Sequence, residues 1–407
     1  MKQGLDIHHY KEKLKSGLKC LEEDTISKKN KELINDFVRK GLLRGLSEAR
    51  VLKYIEILRI VARTIEKDFD KADKQDIEKF VGNLQARGDI TSWTKYSYKV
   101  ILKRFYKWYK GNDENYPDEV KWIKCRLKRS EMKLPEEGDL LTEAEVQKLI
   151  TVAEHPRDKA LISLLYESGC RIGEVATLQL KNVSFDEYGT LIVVQGKTGS
   201  RKLRLVSSTP YLATWIQNHP FKDDKQAPLW INIGIKHHHK TLEYDAMRMQ
   251  IKKIFEKAKI NKRANPHSFR HARASFMANH LTEFQMNQYF GWIQGSNMPA
   301  VYVHLSGKET ESAILELNGF PGQKEKKESL LKPKKCPRCD VINSSESSFC
   351  LKCGAILDIQ TAIKLEESRK EEKEMRNQSD DVMNQLLKDP EILSLIQKKL
   401  LSLNAKQ

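Results

Sequence analysis

No stretch of this chain approaches the roughly 20 consecutive apolar residues that cross a bilayer. Its opening, MKQGLDIHHYKEKLK, lacks the apolar centre of a secretion signal. Both absences argue against membrane and exported classes and predict a soluble, cytoplasmic protein with no membrane partner. A disulfide framework is missing too, because the seven cysteines are odd in number and unevenly spread. Cys20, Cys125 and Cys170 stand alone, whereas Cys336, Cys339, Cys350 and Cys353 cluster. No internal repeat is evident. Acidic residues are outnumbered, with 72 Lys and Arg against 55 Asp and Glu, a formal charge of +17 and a sequence pI near 9.3. Such a balance favours an anionic partner, nucleic acid or an acidic membrane surface, and the missing apolar run and signal leave the membrane reading little support. At 407 residues the chain exceeds one ordinary core and predicts two or three compact units.

What is present reads as mainly α with a small antiparallel β-sheet (α+β). Apolar residues recur at helical spacing through Leu33, Phe37, Val51, Tyr54, Leu58 and Val61, then through Phe80, Leu84, Tyr98, Ile101, Leu102 and Phe105. Breakers at Gly41, Gly45 and Arg87-Gly88-Asp89 separate the helices. Basic and aromatic residues interleave from Trp93 to Tyr109, a pattern that suits either a core helix with a solvated face or a DNA contact. Further on, Thr142 and Glu145 form a capping box for a helix over 143–153. A second helix runs from near Asp158 to just before Gly169. The stretch 183–206 then changes period, with turns at Tyr188-Gly189 and Gly196 to Gly199, and predicts a small sheet whose second hairpin carries Lys197. Helices follow over 210–219, 244–258, 268–279 and 282–290.

Four segments carry chemistry: SGCRIGE (168–174), GKTGSRK (196–202), HSFRH (267–271) and VYVHLSG (301–307). Arg171 and Glu174 lie one turn apart, so a carboxylate can fix the plane of a guanidinium whose paired donors suit phosphate oxygens. His267 and Arg270 stand three apart at the start of a helix introduced by Pro266, where an anion is favoured. Cationic donors around a phosphate stabilise the added charge of its pentavalent transition state, and the hydroxyl of Tyr302 can attack it covalently. Each segment alone has a bland reading as a surface ion pair, a basic helix start or a buried aromatic.

Their order is more specific. Arg171 with Glu174, a hairpin lysine after Gly196, HxxR opening a helix, then Gly291-Trp292 and YVHLSG resembles the tyrosine recombinases, or phage-type integrases, over about 27–320, and its end is most similar to archaeal and Xer-like members. The resemblance implies a helical core-binding domain plus a catalytic domain. Arg171 and Arg270 would clamp the scissile phosphate, Glu174 would orient Arg171, and Lys197 would protonate the leaving 5′ oxygen. His267 would assist proton transfer, and Tyr302 would form a 3′-phosphotyrosine without a metal or nucleotide cofactor. Trp292 stands where most members carry a second histidine, and is read in a binding and packing role; its spacing to Tyr302 is one residue longer than usual. Double-stranded DNA is the implied partner, with a homo-tetramer on two DNA sites and a nucleoid-associated location. One alternative is a catalytically silent architectural or regulatory DNA-binding protein, against which the retention of the charged set with Tyr302 argues; another, an RNA-associated zinc-ribbon protein, explains the charge and cysteines but not the constellation.

Two CxxC knuckles, Cys336 with Cys339 and Cys350 with Cys353, have the spacing of a closed four-thiolate site and predict a structural Zn2+ in a zinc ribbon. The expected organisation is an N-terminal extension (1–26), core-binding domain (27–125), linker (126–138), catalytic domain (139–320), charged linker (321–335), zinc ribbon (336–357) and charged, amphipathic helical tail (358–407). In the family, the segment 308–320 docks on a neighbouring protomer.

Overall fold

The computed structural model describes residues 6–111, 113–127, 131, 136–196, 198–235, 238–306, 314–315, 317–319, 329–388 and 390–404. Lys197, most of the 308–320 segment and parts of both expected linkers lie outside them. The chain forms two compact units, Met1–Leu140 with Val175–Thr177 and Trp230–Met249, and Leu141–Glu174 with Leu178–Leu229 and Gln250–Gln407.

The first unit is built from α1 (Tyr10–Glu22), α2 (Lys28–Leu43), α3 (Glu48–Ile65), α4 (Lys74–Ala86), α5 (Ser92–Tyr109) and the short α6 (Asp118–Lys121). Side chains start three of them: Ser27 accepts from Asn30 N, Asp73 and Asp76 make a reciprocal capping box, and Thr91 accepts from Thr94 N. α3 runs through the core, burying Val51, Tyr54, Ile55, Ile57, Leu58, Val61 and Ala62. α1 lies outside the expected helical domain by sequence, yet Leu14 and Leu21 join the same apolar cluster. Asp24, just beyond α1, is fastened by Arg59 Nε and by Arg63 Nε and Nη2, the last two at 2.8 Å. In α5 the apolar stripe points inward through Tyr98, Ile101, Leu102, Phe105 and Tyr106, so much of its aromatic content is core, while Trp93 is exposed.

The second unit is organised on α8 (Pro156–Ser168), which is buried from almost every side. α7 (Glu143–Val152), α10 (Thr209–Gln217) and α12 (Pro266–Ala278) pack on it. Polar groups this deep require partners: Arg157 Nη2 donates to Asp158 at 2.6 Å and Gln250 donates to the other carboxylate oxygen at 2.8 Å. The three-stranded sheet is antiparallel in the order β1 (Val183–Asp186), β2 (Gly189–Gly196), β3 (Gly199–Leu205), with the expected turns. α9 (Ile172–Ala176), α11 (Tyr244–Lys257), α13 (Glu283–Phe290) and α14 (Met298–Ser306) complete the helices up to Ser306.

Further on, β4 (Lys334–Lys335) and β5 (Ile342–Asn343) form a small hairpin. It docks on α7: the Glu346 carboxylate accepts from Gln147 and Thr151, and Glu143 accepts from Ser329 Oγ at 2.9 Å and Leu330 N at 3.1 Å. α15 (Ile359–Leu386) and α16 (Pro390–Asn404) follow, and α15 buries none of its side chains. Among the described residues no helix is long and apolar enough to cross a membrane.

The junction between β3 and α10 hangs on one side chain. Glu167 of α8 accepts backbone N–H bonds from Val206 (2.7 Å), Ser207 (3.0 Å) and Ser208 (2.8 Å), and the Ser208 hydroxyl at 2.6 Å. Each buried donor left unmet costs about 1–3 kcal/mol. Glu167→Ala is therefore expected to lower stability by about 3 kcal/mol or more in urea unfolding, and Glu167→Gln, which keeps one acceptor oxygen, by less.

Candidate active site

Gly169 ends α8 in the left-handed region (φ 55°), and a Cβ there would stand 2.6 Å from the Phe290 ring. The turn it makes delivers Cys170 to the interior and Arg171 to the start of α9. Arg171 Nη1 donates to Glu174 Oε1 at 3.2 Å and to the Gly291 carbonyl at 3.4 Å, and its backbone N–H is held by Glu174 Oε2 at 2.9 Å. About a third of the Arg171 side-chain surface stays open to solvent. Glu174 is buried; burial works to raise its pKa, and the guanidiniums of Arg201 and Arg171 prevail and keep it below the ordinary carboxylate value.

Arg270 sits one turn into α12 and is 5% exposed. Its Nη1 donates to the Gly169 carbonyl at 2.8 Å and its Nη2 to the Phe290 carbonyl at 2.9 Å. The guanidinium also lies 5.1 Å and 5.3 Å from the ring centres of Phe290 and Trp292, a cation–π arrangement. Burial, then the nearby Arg171 charge, pushes its pKa down to about 10, so it remains a cation at neutral pH. His267, the second residue of α12, is open to solvent on one side. The protein packed about its ring, with Arg270, Arg171 and Arg263 beside it, lowers its pKa from 6.5.

Phe290, Trp292 and Tyr302 form a stack. Phe290 and Trp292 are 4.9 Å apart at 26°, and Trp292 and Tyr302 are 5.5 Å apart at 9°. Tyr302 therefore registers on Trp292 despite the longer intervening segment. It projects from α14, is 2% exposed, and has its pKa raised by burial against the opposing pull of Arg270 and Arg171. Thus Arg171, Glu174, His267, Arg270, Trp292 and Tyr302 all come together. Lys197 is not among the described residues, although its neighbour Thr198 donates to the Gly291 carbonyl at 3.3 Å.

Two residues that the motif pattern does not single out make site contacts. Arg201 grips Glu174 through Nη1 (3.1 Å) and Nη2 (2.8 Å), and donates from Nε to the Tyr289 carbonyl at 2.9 Å. Gly196 is required beside this pair, because a Cβ would lie 2.6 Å from Glu174 Oε1. Strand alternation holds a signal for Arg201: it shares a face with Leu203 and Leu205, both buried, and a charge on a buried face needs a partner. His271 is the other, with Nδ1 2.9 Å from the Tyr302 hydroxyl. It follows the HxxR pair directly, and only the placement of α14 reveals its contact.

The four sulfurs of Cys336, Cys339, Cys350 and Cys353 all lie within 4.8 Å of one another, with the Cys336–Cys353 and Cys339–Cys350 pairs at 3.6 Å and 3.5 Å. A tetrahedron with metal–sulfur bonds of about 2.3 Å has edges of about 3.8 Å, so the cluster can hold a metal ion. Arg338 N and Asn343 Nδ2 donate to Cys336 and Cys350 sulfurs, as expected around thiolates.

The family model described as the phage integrase family matches residues 139–309. A tyrosine recombinase of Thermosipho africanus is 26% identical over 295 residues, covering 70% of this chain and 98% of that protein. Tyrosine recombinase XerA of Pyrococcus horikoshii is 24% identical over 302 residues, covering 70% and 93%. Among solved structures, XerH site-specific recombinase bound to palindromic difH substrate, a post-cleavage complex, shares the fold with a TM-score of 0.54 at 16% identity, over 78% of this chain and 98% of that one. Residues 139–309 thus form a phage integrase family domain, and the chain is similar over 70% of its length to tyrosine recombinases.

Proposed function

We propose that this site-specific recombinase cuts and rejoins double-stranded DNA through Tyr302. The observation that carries the reading is the convergence of Arg171 and Arg270 on the main chain around Trp292, against which Tyr302 stacks. Two guanidiniums held by carbonyls and by Glu174 present their remaining N–H donors to one phosphate, preorganised for charge that grows in the transition state. The Tyr302 oxygen attacks phosphorus, the bond to the 5′ oxygen breaks, and Lys197 gives that oxygen a proton. A 3′-phosphotyrosine results. His267, its pKa lowered by burial and then by Arg270, Arg171 and Arg263, hydrogen-bonds a phosphate oxygen. Trp292 serves as the platform on which Tyr302 and Arg270 are registered. The 5′ hydroxyl of a second strand reverses the step, so phosphodiester energy is conserved and no cofactor takes part in catalysis.

Exchange between two duplexes breaks four strands, and one tyrosine serves each break. Four protomers on two DNA sites are the assembly that meets this count, acting on DNA in the cytoplasm at the nucleoid. The four-cysteine cluster takes Zn2+ in a closed, structural site, where metal binding supplies folding energy to a segment too small to bury a core.

Tyr302→Phe is expected to abolish the covalent adduct on a nicked suicide substrate while leaving DNA binding in gel-shift assays intact. Arg171→Ala and Arg270→Ala should each slow adduct formation about 10²- to 10³-fold. Absence of any adduct with the wild-type protein on its cognate site would instead favour a silent DNA-binding role. For the ribbon, metal analysis should give one zinc per chain, and Cys350→Ser should lose it and open residues 329–357 to limited proteolysis.

A further inference from the structure

The recombination reading assigns a donor for the leaving oxygen and gives His267 an assisting part in proton transfer, but no contact yet described receives the proton that Tyr302 must lose. A buried phenol whose pKa is raised cannot shed that proton to bulk water cheaply. α12 carries His267, Arg270 and His271 at positions that share a face, and the third of these reaches the nucleophile: His271 Nδ1 stands 2.9 Å from the Tyr302 oxygen, with the rings 5.9 Å apart. A base is judged by reach first and pKa second, and among the described residues this is the hydrogen bond made by the Tyr302 hydroxyl.

We propose that His271 is the general base for Tyr302: Nδ1 takes the hydroxyl proton as the phenolic oxygen bonds to phosphorus, and returns it when the phosphotyrosine is displaced. The inference rests on Tyr302 being the nucleophile. The steps balance. The O–H bond of Tyr302 breaks as the P–O bond to it forms, His271 becomes imidazolium, and the departing 5′ oxygen takes its proton separately from Lys197. In rejoining, the 5′ hydroxyl returns its proton to Lys197 and the freed phenolate recovers its own from His271.

The surroundings favour an acceptor over a donor at this position. Burial, then His267 and Arg270 on the same helix and Arg263 just before it, push the His271 pKa down to about 4. Tyr302 faces the ring from α14. His271 is thus neutral at pH 7, and with the proton on Nε2 its Nδ1 lone pair points at the hydroxyl. His267 is less suited, because it opens to solvent and its ring centre lies 6.4 Å from that of His271.

A substrate with sulfur in place of the scissile 5′ bridging oxygen separates the two proton transfers, since a thiolate leaves without an acid. Single-turnover adduct formation on such nicked DNA is measured with full-length wild type, Tyr302→Phe, Lys197→Ala and His271→Gln, alongside gel-shift binding. A wild type that forms no Tyr302 adduct overturns the nucleophile assignment and this one with it. Given that adduct, Lys197→Ala should recover near wild-type rates on the sulfur substrate, whereas His271→Gln should stay about 10²-fold or more slow. Its rate should rise with pH between 6 and 9, where the wild type is flat, as hydroxide replaces the missing base. A His271→Gln rate close to wild type, or one restored by sulfur as for Lys197→Ala, overturns the proposal. Should that variant fail to bind DNA, the wild-type profile decides: an acid limb below pH 6 that persists on the sulfur substrate supports His271, and its disappearance there overturns it.

Discussion

A buried cation needs permanent partners, and the site depends on how Arg270 obtains them. Its guanidinium is nearly sealed from water, so losing hydration has to be offset by hydrogen bonds of good geometry. The partners are the carbonyls of Gly169 and Phe290, each at the C-terminal end of a helix, α8 and α13. Helix C-termini carry unmet carbonyls and the negative end of the peptide dipole. Two such ends converging on one guanidinium fix it without using up an acidic side chain. Among the described residues no carboxylate bonds Arg270, and its guanidinium is oriented by main-chain carbonyls alone.

Glu174 solves a related problem for Arg171. One carboxylate holds the Arg171 main chain and side chain, and Arg201 grips it from β3. The two arginines of the site are thus tied to the same short stretch, the Phe290 and Gly291 carbonyls, which lead into Trp292. The placements of Arg270 and Tyr302 are not set independently, because Trp292 touches both. Burial first, and the neighbouring cations after it, lower the pKa of both His267 and His271, so the packing that encloses the site also sets their protonation.

Most of this architecture was legible from residue patterns. The sheet turns at Tyr188-Gly189 and Gly196 to Gly199, the Thr142 capping box and the helix from Pro266 follow from local chemistry, and each formed where expected. Ordered motifs indicated Arg171, His267, Arg270 and Tyr302 because their spacing is linear information. Contacts between distant segments are not linear. Nothing around Tyr302 in sequence specifies that α14 brings its hydroxyl to His271 across 31 positions. The alternation that marks Arg201 was present but is quieter than a motif. The aromatic run of α5 mixed two signals, and packing divided it into core residues and an exposed Trp93.

The clasp between α7 and the segment around β4 and β5 has a mechanical meaning for Tyr302. α14 is followed by the chain from residue 307 to 328, and at Ser329 and Leu330 the polypeptide is caught again by Glu143, with Glu346 held by Gln147 and Thr151 beyond. The helix that carries Tyr302 is therefore followed in sequence by a second point of attachment to the same unit. An extended chain covers at most about 3.6 Å per residue, so the distance between α14 and this clasp is bounded by the number of residues that separate them. Loosening the clasp at Glu143 would relax that bound without touching Arg171, Arg270 or Tyr302.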